Sequence, residues 1–233
     1  MIKLENIVNI RDLGGYKTAN GKFTKHNIFY RSGNTDKSSE NDIKKLTKIY
    51  NVKTVIDLRT TKEIQKSPDK FTSISGVNYI NTPIDYDECL EEFKSSDRGL
   101  TVLYDYILKK KKHILKNIFN TIANVNDGST LFHCTLGRDR TSMVAMLLLG
   151  LVGVNRKDII QNYTVTYDLI KNLDIVKHDL IFYGKKKTIT LPQHIESAID
   201  LIENNYKTFE NYLISCNISK ENLEKIKNKF LTI

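Results

Sequence analysis

Along the chain, apolar positions change period. Short β-branched segments at Asn27–Tyr30, Lys53–Asp57, Gly76–Ile80 and Thr130–His133 read as strands, and stretches with helical spacing lie between and after them. This alternation predicts an α/β domain with a central, mostly parallel sheet flanked by helices. Ser38-Ser39-Glu40-Asn41-Asp42 has the form of a helix start, with acids in the first turn and Ile43, Leu46 and Ile49 following at helical spacing. Met143 to Val154 is almost wholly apolar, too short for a membrane span but suited to a helix buried against the sheet.

Beyond about residue 155 the strand signals nearly vanish. Helical patterns cover Lys157–Leu173, His194–Asn205, Phe209–Ser215 and Ser219–Phe230. With no repeat, no low-complexity tract and only 3 prolines, the expectation is one domain over residues 1–233 in which residues 155–233 form a mainly helical cover.

Composition narrows the function classes. At 40% hydrophobic and 27% charged the chain resembles an average folded protein, and no apolar run is long enough for a membrane span. The opening MIKLENIVNIRD lacks the features of a secretory leader, so a cytoplasmic protein is expected, with export without a recognisable signal left open. Three cysteines without a Cys-x-x-Cys pair suggest neither a disulfide framework nor a structural zinc site. The net charge of +9 comes from scattered lysines with short runs at Lys109 to Lys112 and Lys185 to Lys187. No basic stripe with interleaved aromatics appears, so no nucleic-acid partner is expected.

The chemistry concentrates in Thr130 to Thr141, a strand running into a compact loop and then into the apolar helix. A phosphate monoester needs many converging donors. A loop that winds from a strand into a helix N-terminus aims successive N–H groups inward, where the helix dipole favours negative charge. Gly137 permits the tight winding, and Thr135, Leu136, Gly137, Arg138 and Thr141 become substrate-binding candidates. The planar guanidinium of Arg140 can hold two phosphate oxygens at once, which lysine cannot. The same environment favours a thiolate at Cys134, since helix N-termini and nearby cations bring cysteine pKa values to roughly 3.5–7.5. Such a thiolate can attack phosphorus to give a phosphocysteine that water then hydrolyses, a scheme that uses no metal or cofactor. His133 is expected to shape the loop rather than react.

Arginine usage is a second signal. The chain carries 36 Lys and Arg together, of which only Arg11, Arg31, Arg59, Arg98, Arg138, Arg140 and Arg156 are arginines. Five of these fall in Asn9-Ile-Arg-Asp-Leu-Gly-Gly15, Tyr30-Arg-Ser-Gly33, Val55-Ile-Asp-Leu-Arg59 and the Cys134 loop. These segments are expected to assemble into one site or its support. For Arg11 and Arg31 the two readings are turn bracing and direct phosphate contact. Asp57 and Arg59 follow a strand, where ligand sites of α/β folds gather, and Arg59 joins the substrate-binding candidates.

From about Ile7 to the C-terminal helix Ser219 to Ile226, the chain resembles the bacterial protein-tyrosine-phosphatase-like family that shares an HCxxGKDRT loop with NxRDLGG, YRSG and VIDLR segments. The resemblance implies a cysteine-phosphatase fold, with the nucleophile at Cys134 and the phosphate-binding arginine at Arg140. Arg138 stands where the family has lysine. With no tryptophan for a Trp-Pro-Asp lid, the general acid is sought first at Asp139, with Asp57 and Asp85 as alternatives; a loop-bracing role for Asp139 is the competing reading.

Taken together, these features point to a cysteine-dependent phosphatase acting on phosphotyrosine and also phosphoserine or phosphothreonine. Phosphoinositides are the alternative substrate, and a phosphate-binding module without turnover ranks below both. An arsenate reductase or sulfurtransferase ranks third, because Cys89 and Cys216 show no sign of serving Cys134. The expected partners are a phosphoprotein or phosphoinositide and a phosphate-like anion in the loop.

Overall fold

The computed structural model describes residues 2–174, 176 and 191–232; the Lys185 to Lys187 run lies outside them. The sheet has five strands in the order β1 (Arg11–Asp12), β2 (Phe29–Ser32), β5 (Ser129–His133), β3 (Val52–Asp57) and β4 (Asn78–Asn81). β1 is antiparallel to β2 and the other neighbours are parallel. β5 is therefore central, and its last residue, His133, is level with Ser32 on one side and Asp57 on the other. The carboxyl ends of three adjacent strands thus meet where the chain leaves β5 at Cys134, the edge at which parallel sheets present their sites.

Side-chain alternation explains why both faces are covered. Phe29, Ile56 and Phe132 point to a large core on one face, whereas Tyr30, Val55 and Leu131 point to a smaller core with Leu46 and Phe71 on the other. The small side is covered by α1 (Glu40–Lys44), which begins at a capping box between Ser39 and Asp42 and widens into a π turn over Lys45–Ile49. Asp42 also accepts hydrogen bonds from Glu5 N and Asn6 N at 2.7 and 3.0 Å, tying the N-terminal segment to this helix.

α2 (Thr61–Lys66) follows β3, and α3 (Leu90–Ser95), α4 (Leu100–Lys110) and α5 (Lys112–Asn124) fill the connection from β4 to β5. α6 (Asp139–Leu151) carries the apolar run, and all its residues but Gly150 are buried. It packs on β2 and β5 directly behind the loop. α7 (Arg156–Ile170), α8 (Pro192–Tyr206), α9 (Phe209–Ser215) and α10 (Lys220–Phe230) form the C-terminal helical cover. The large core runs without a break from Leu13 to Phe230. Phe230 meets Phe29 edge-on with ring centroids 4.8 Å apart.

Candidate active site

Loop 134–138 is shaped by donors placed outside it. Asn34 N donates to Thr135 O at 3.0 Å, and Asn9 Nδ2 donates to Leu136 O and Gly137 O, both at 2.9 Å. Arg31 Nη2 also donates to Gly137 O at 2.6 Å. With these carbonyls drawn outward, the N–H groups of Thr135, Leu136 and Gly137 have no acceptor among the described residues. Three bare donors beside a helix N-terminus make an anion cradle. Gly137 has φ +66°, and a Cβ there would lie 2.4 Å from Ser32 O, so both the winding and the close approach to β2 require glycine.

Arg140, on the first turn of α6, is gripped from the side by Glu63 of α2. Arg140 Nη1 donates to Glu63 Oε2 and Nη2 to Glu63 Oε1, each at 2.7 Å, and Thr135 Oγ1 donates to Glu63 Oε1 at 2.5 Å. Glu63 is itself fixed by α2's capping box, in which its carboxylate accepts from Thr60 N at 2.9 Å. Burial alone would raise the Glu63 pKa, but the hydrogen bonds and charge of Arg140, with Thr135 and Thr60, bring it down to about 2. Burial opposes the charge on Arg140, yet Tyr86, Glu63 and Cys134 outweigh it and hold the guanidinium protonated. The Tyr86 ring lies 5.3 Å from Arg140 Cζ. Arg140 Nε is buried and has no partner among the described residues, so the edge of the fork away from Glu63 keeps a donor.

Asp139, the first residue of α6, is held from two sides. Arg138 Nε donates to its Oδ2 at 3.0 Å, and Tyr104 OH of α4 donates to its Oδ1 at 2.9 Å. Cys134, Thr135, Leu136, Arg138, Asp139, Arg140, Glu63 and Tyr86 together line a cleft of about 190 Å³. An adjoining cleft of about 220 Å³ shares Glu63, Tyr86 and Arg140 and adds Lys62, Asp85 and Asp87. A thiol, a guanidinium and a carboxyl therefore share one small cleft.

Behind the loop, Arg31 is buried and spans it to the cover, donating through Nη1 to Asn162 Oδ1 at 2.7 Å and through Nη2 to Ser142 Oγ at 2.6 Å. Burial brings its pKa down to about 10. Arg11 Nη2 donates to Asn162 O and Thr166 Oγ1, each at 2.7 Å, and its Nη1 holds Asn9. Both arginines brace backbone and cover helix, and neither lines the cleft at Cys134.

Three expectations need correction. Asp57 is fully buried and points away from the cleft: its oxygens accept from Arg59 N and Nε, from Arg59 Nη2 at 2.7 Å and from Tyr79 OH at 2.7 Å. Arg59 is spent on Asp57, on Asp69 at 3.3 Å and on Ser67 O at 2.8 Å, so it does not reach the cleft. Thr141 Oγ1 is buried, makes no hydrogen bond among the described residues and does not line the cleft, so it is not placed to bind substrate there. His133 Nε2 lies 3.1 Å from Asp69 Oδ2 and 3.8 Å from Asp57 Oδ2. Asp57, Asp69 and His133 have the donor types of a metal site, but the Arg59 guanidinium already occupies the carboxylates, and a cation there would face it.

A model of the tyrosine phosphatase family matches residues 2–232. The chain belongs to that family. It is 36% identical over 121 residues to a tyrosine-protein phosphatase of Nostoc commune, covering 49% of this chain and 40% of that protein. It is 30% identical over 173 residues to a candidate tyrosine-protein phosphatase of Cupriavidus necator, covering 70% of this chain and 61% of that protein. The chain thus spans about half the length of the curated relatives it matches. Among solved structures, the catalytic core of the S. cerevisiae PP-IP phosphatase SIW14 matches at TM-score 0.42 and 14% identity, over 78% of this chain and 92% of that one. P. aeruginosa TpbA matches at TM-score 0.37 and 13% identity, over 84% and 90%.

For this tyrosine phosphatase family chain the structure adds residues that the sequence reading passed over. Glu63 was legible as the fourth residue of a Thr60-x-x-Glu63 capping box, but nothing in one sequence shows that its carboxylate reaches Arg140. Asn9 sits inside a recognised block, yet its task of holding two loop carbonyls depends on a left-handed backbone at φ 58°. Tyr86, Tyr104 and Asn162 carried no sequence signal at all.

Proposed function

We propose that this chain is a cysteine-dependent phosphatase for phosphate monoesters, with phosphotyrosine as the preferred group. The observation that carries it is the one small cleft that Cys134, Asp139 and Arg140 line together with Thr135 and Leu136, whose N–H groups have no acceptor among the described residues.

The phosphate oxygens sit on the loop N–H groups and on Arg140, which holds them through the pentacoordinate transition state. The Cys134 thiolate attacks phosphorus; an S–P bond forms and the bond to the ester oxygen breaks. Asp139 passes its proton to that oxygen, and the alcohol leaves. A water then attacks the phosphocysteine, giving its proton to Asp139 as the S–P bond breaks, and inorganic phosphate departs. Glu63 takes no part in bond making; it keeps the guanidinium aimed. Asp85, in the adjoining cleft, is the second candidate for the acid.

Tyr86 forms an aromatic wall beside Arg140, which suits a flat leaving group. Phosphoinositides rank second, because Arg138 is committed to Asp139 and the adjoining cleft sets Asp85 and Asp87 against Lys62. We further infer that residues 1–233 act as one unit, supported by the unbroken large core. A cytoplasmic setting accords with the need to keep Cys134 reduced.

The test is phosphate release, in chelator, from a phosphotyrosine peptide, a phosphoserine peptide and phosphoinositide vesicles. Wild type is expected to act fastest on phosphotyrosine, Cys134→Ser to be inactive, and Arg140→Lys to lose roughly 10²–10³-fold in kcat. Turnover surviving in Cys134→Ser would overturn the mechanism. Binding without turnover by wild type would favour a phosphate-binding module.

A further inference from the structure

Asp139 is not simply a loop residue: it is the end of a buried hydroxyl chain that crosses the helical cover. Tyr163 of α7 and Tyr104 of α4 are almost wholly buried, their rings meet edge-on at 5.9 Å, and their hydroxyl oxygens are 2.8 Å apart. Tyr104 OH is 2.9 Å from Asp139 Oδ1. A carboxylate oxygen can only accept, so Tyr104 gives its hydrogen to Asp139, and the proton between the two tyrosines must come from Tyr163. The chain therefore runs in one direction, Tyr163 to Tyr104 to Asp139.

Such an arrangement is more than is needed to bury two phenols. Each hydroxyl is taken out of water, which is tolerated only where a partner is found. The partner at the end of this chain is a carboxyl that lines the cleft. Burial, reinforced by Asp139, pushes both phenols above their ordinary range, so neither ionises while the enzyme works and both remain donors. The other groups facing Asp139 are Arg138 within the loop and His194 of α8, whose pKa is lowered by burial.

We propose that Tyr104, backed by Tyr163, is a positioning residue for the general acid. It holds Oδ1 from one side while Arg138 Nε holds Oδ2 at 3.0 Å from the other, and so keeps the Asp139 carboxyl turned toward the leaving group. This rests on the reading of Asp139 as the acid, and it extends the site to two helices that touch no substrate. In the first step the proton leaves the Asp139 carboxyl for the ester oxygen. The carboxylate so formed keeps its Oδ1 bond to Tyr104 and returns to its starting state when water is deprotonated.

The test uses leaving groups of different basicity. A phenolate leaving from phenyl phosphate needs the proton, whereas p-nitrophenolate leaves nearly unaided. With Asp139→Asn, kcat/KM should fall about 10²-fold or more for phenyl phosphate and far less for p-nitrophenyl phosphate. Tyr104→Phe should show the same selectivity at about tenfold, and Tyr163→Phe a smaller loss of the same kind. Equal losses on both substrates in Tyr104→Phe, with Asp139→Asn still selective, would show that Tyr104 only packs and would overturn the inference alone. If Asp139→Asn is itself unselective, the acid is elsewhere and both readings fall. Should Tyr104→Phe not fold, Tyr163→Phe carries the test, because it does not touch Asp139; an unselective loss there overturns the inference equally.

Discussion

At the scale of single residues, the site depends on what holds its charges in place. Arg140 alone would be a long side chain with several rotamers, and ordering it costs on the order of 2 kcal/mol. Glu63 meets that cost with two parallel hydrogen bonds at 2.7 Å. Glu63→Gln keeps the shape but loses the charge. It should lower kcat/KM by roughly tenfold or more while Cys134 remains alkylatable, which parallel kinetics and labelling would check. Because the Glu63 pKa is held down at about 2 against an ordinary 4.5, its stabilisation is present above about pH 4.5 and is lost as pH falls toward 2. Wild type should therefore be more stable than Glu63→Gln at pH 7, and the gap should close over that acid range. A constant gap in melting temperature down to pH 2.5 would contradict the ion pair.

At the scale of elements, the legible part of the fold was that set by local periodicity. Each parallel strand was found within two residues of its observed bounds, because alternation on β2, β3 and β5 serves two cores at once. The apolar run over Met143 to Val154 was placed correctly against the sheet, although α6 starts at Asp139, where polar residues facing the cleft hide the helical pattern. β1 is only two residues long and escaped notice. Asp57 and Arg59 were misread for a related reason: a strand end next to a site suggests chemistry, but these side chains turn behind the sheet edge to hold Asp69 and Tyr79. Asp57→Asn should then cost about 3–5 kcal/mol of stability by leaving the buried Arg59 only its longer contact with Asp69, with the folded fraction keeping near-normal kcat. A stable Asp57→Asn protein with lost acid catalysis would restore Asp57 to the mechanism. The contacts that sequence could not show, Glu63 with Arg140 and Tyr104 with Tyr163, join residues 77 and 59 positions apart.

At the scale of the whole molecule, the helical cover is part of the site's support. Asn162 of α7 accepts from Arg31 and Arg11, and Tyr163 beside it completes the hydroxyl chain to Asp139, so one turn of α7 holds both the back of the loop and the acid. α7 in turn packs on α6 and α8, and α10 closes the core against β2 through Phe230 and Phe29. Among the described residues no helix is long and apolar enough to cross a membrane. The net charge of +9 is spread over lysines, and the cleft itself pairs Arg140 with Glu63 and Arg138 with Asp139. Selectivity for a phosphate is therefore expected to come from the loop's donors rather than from overall charge, which serves to draw anionic substrates in. The most direct measurement is rapid quenching of wild type during turnover of a phosphotyrosine peptide, followed by mass spectrometry of the peptide carrying Cys134. A single added phosphoryl group on Cys134, absent from Cys134→Ser, is the expected result; rapid turnover with no phosphoryl group on Cys134 at any quench time would contradict it.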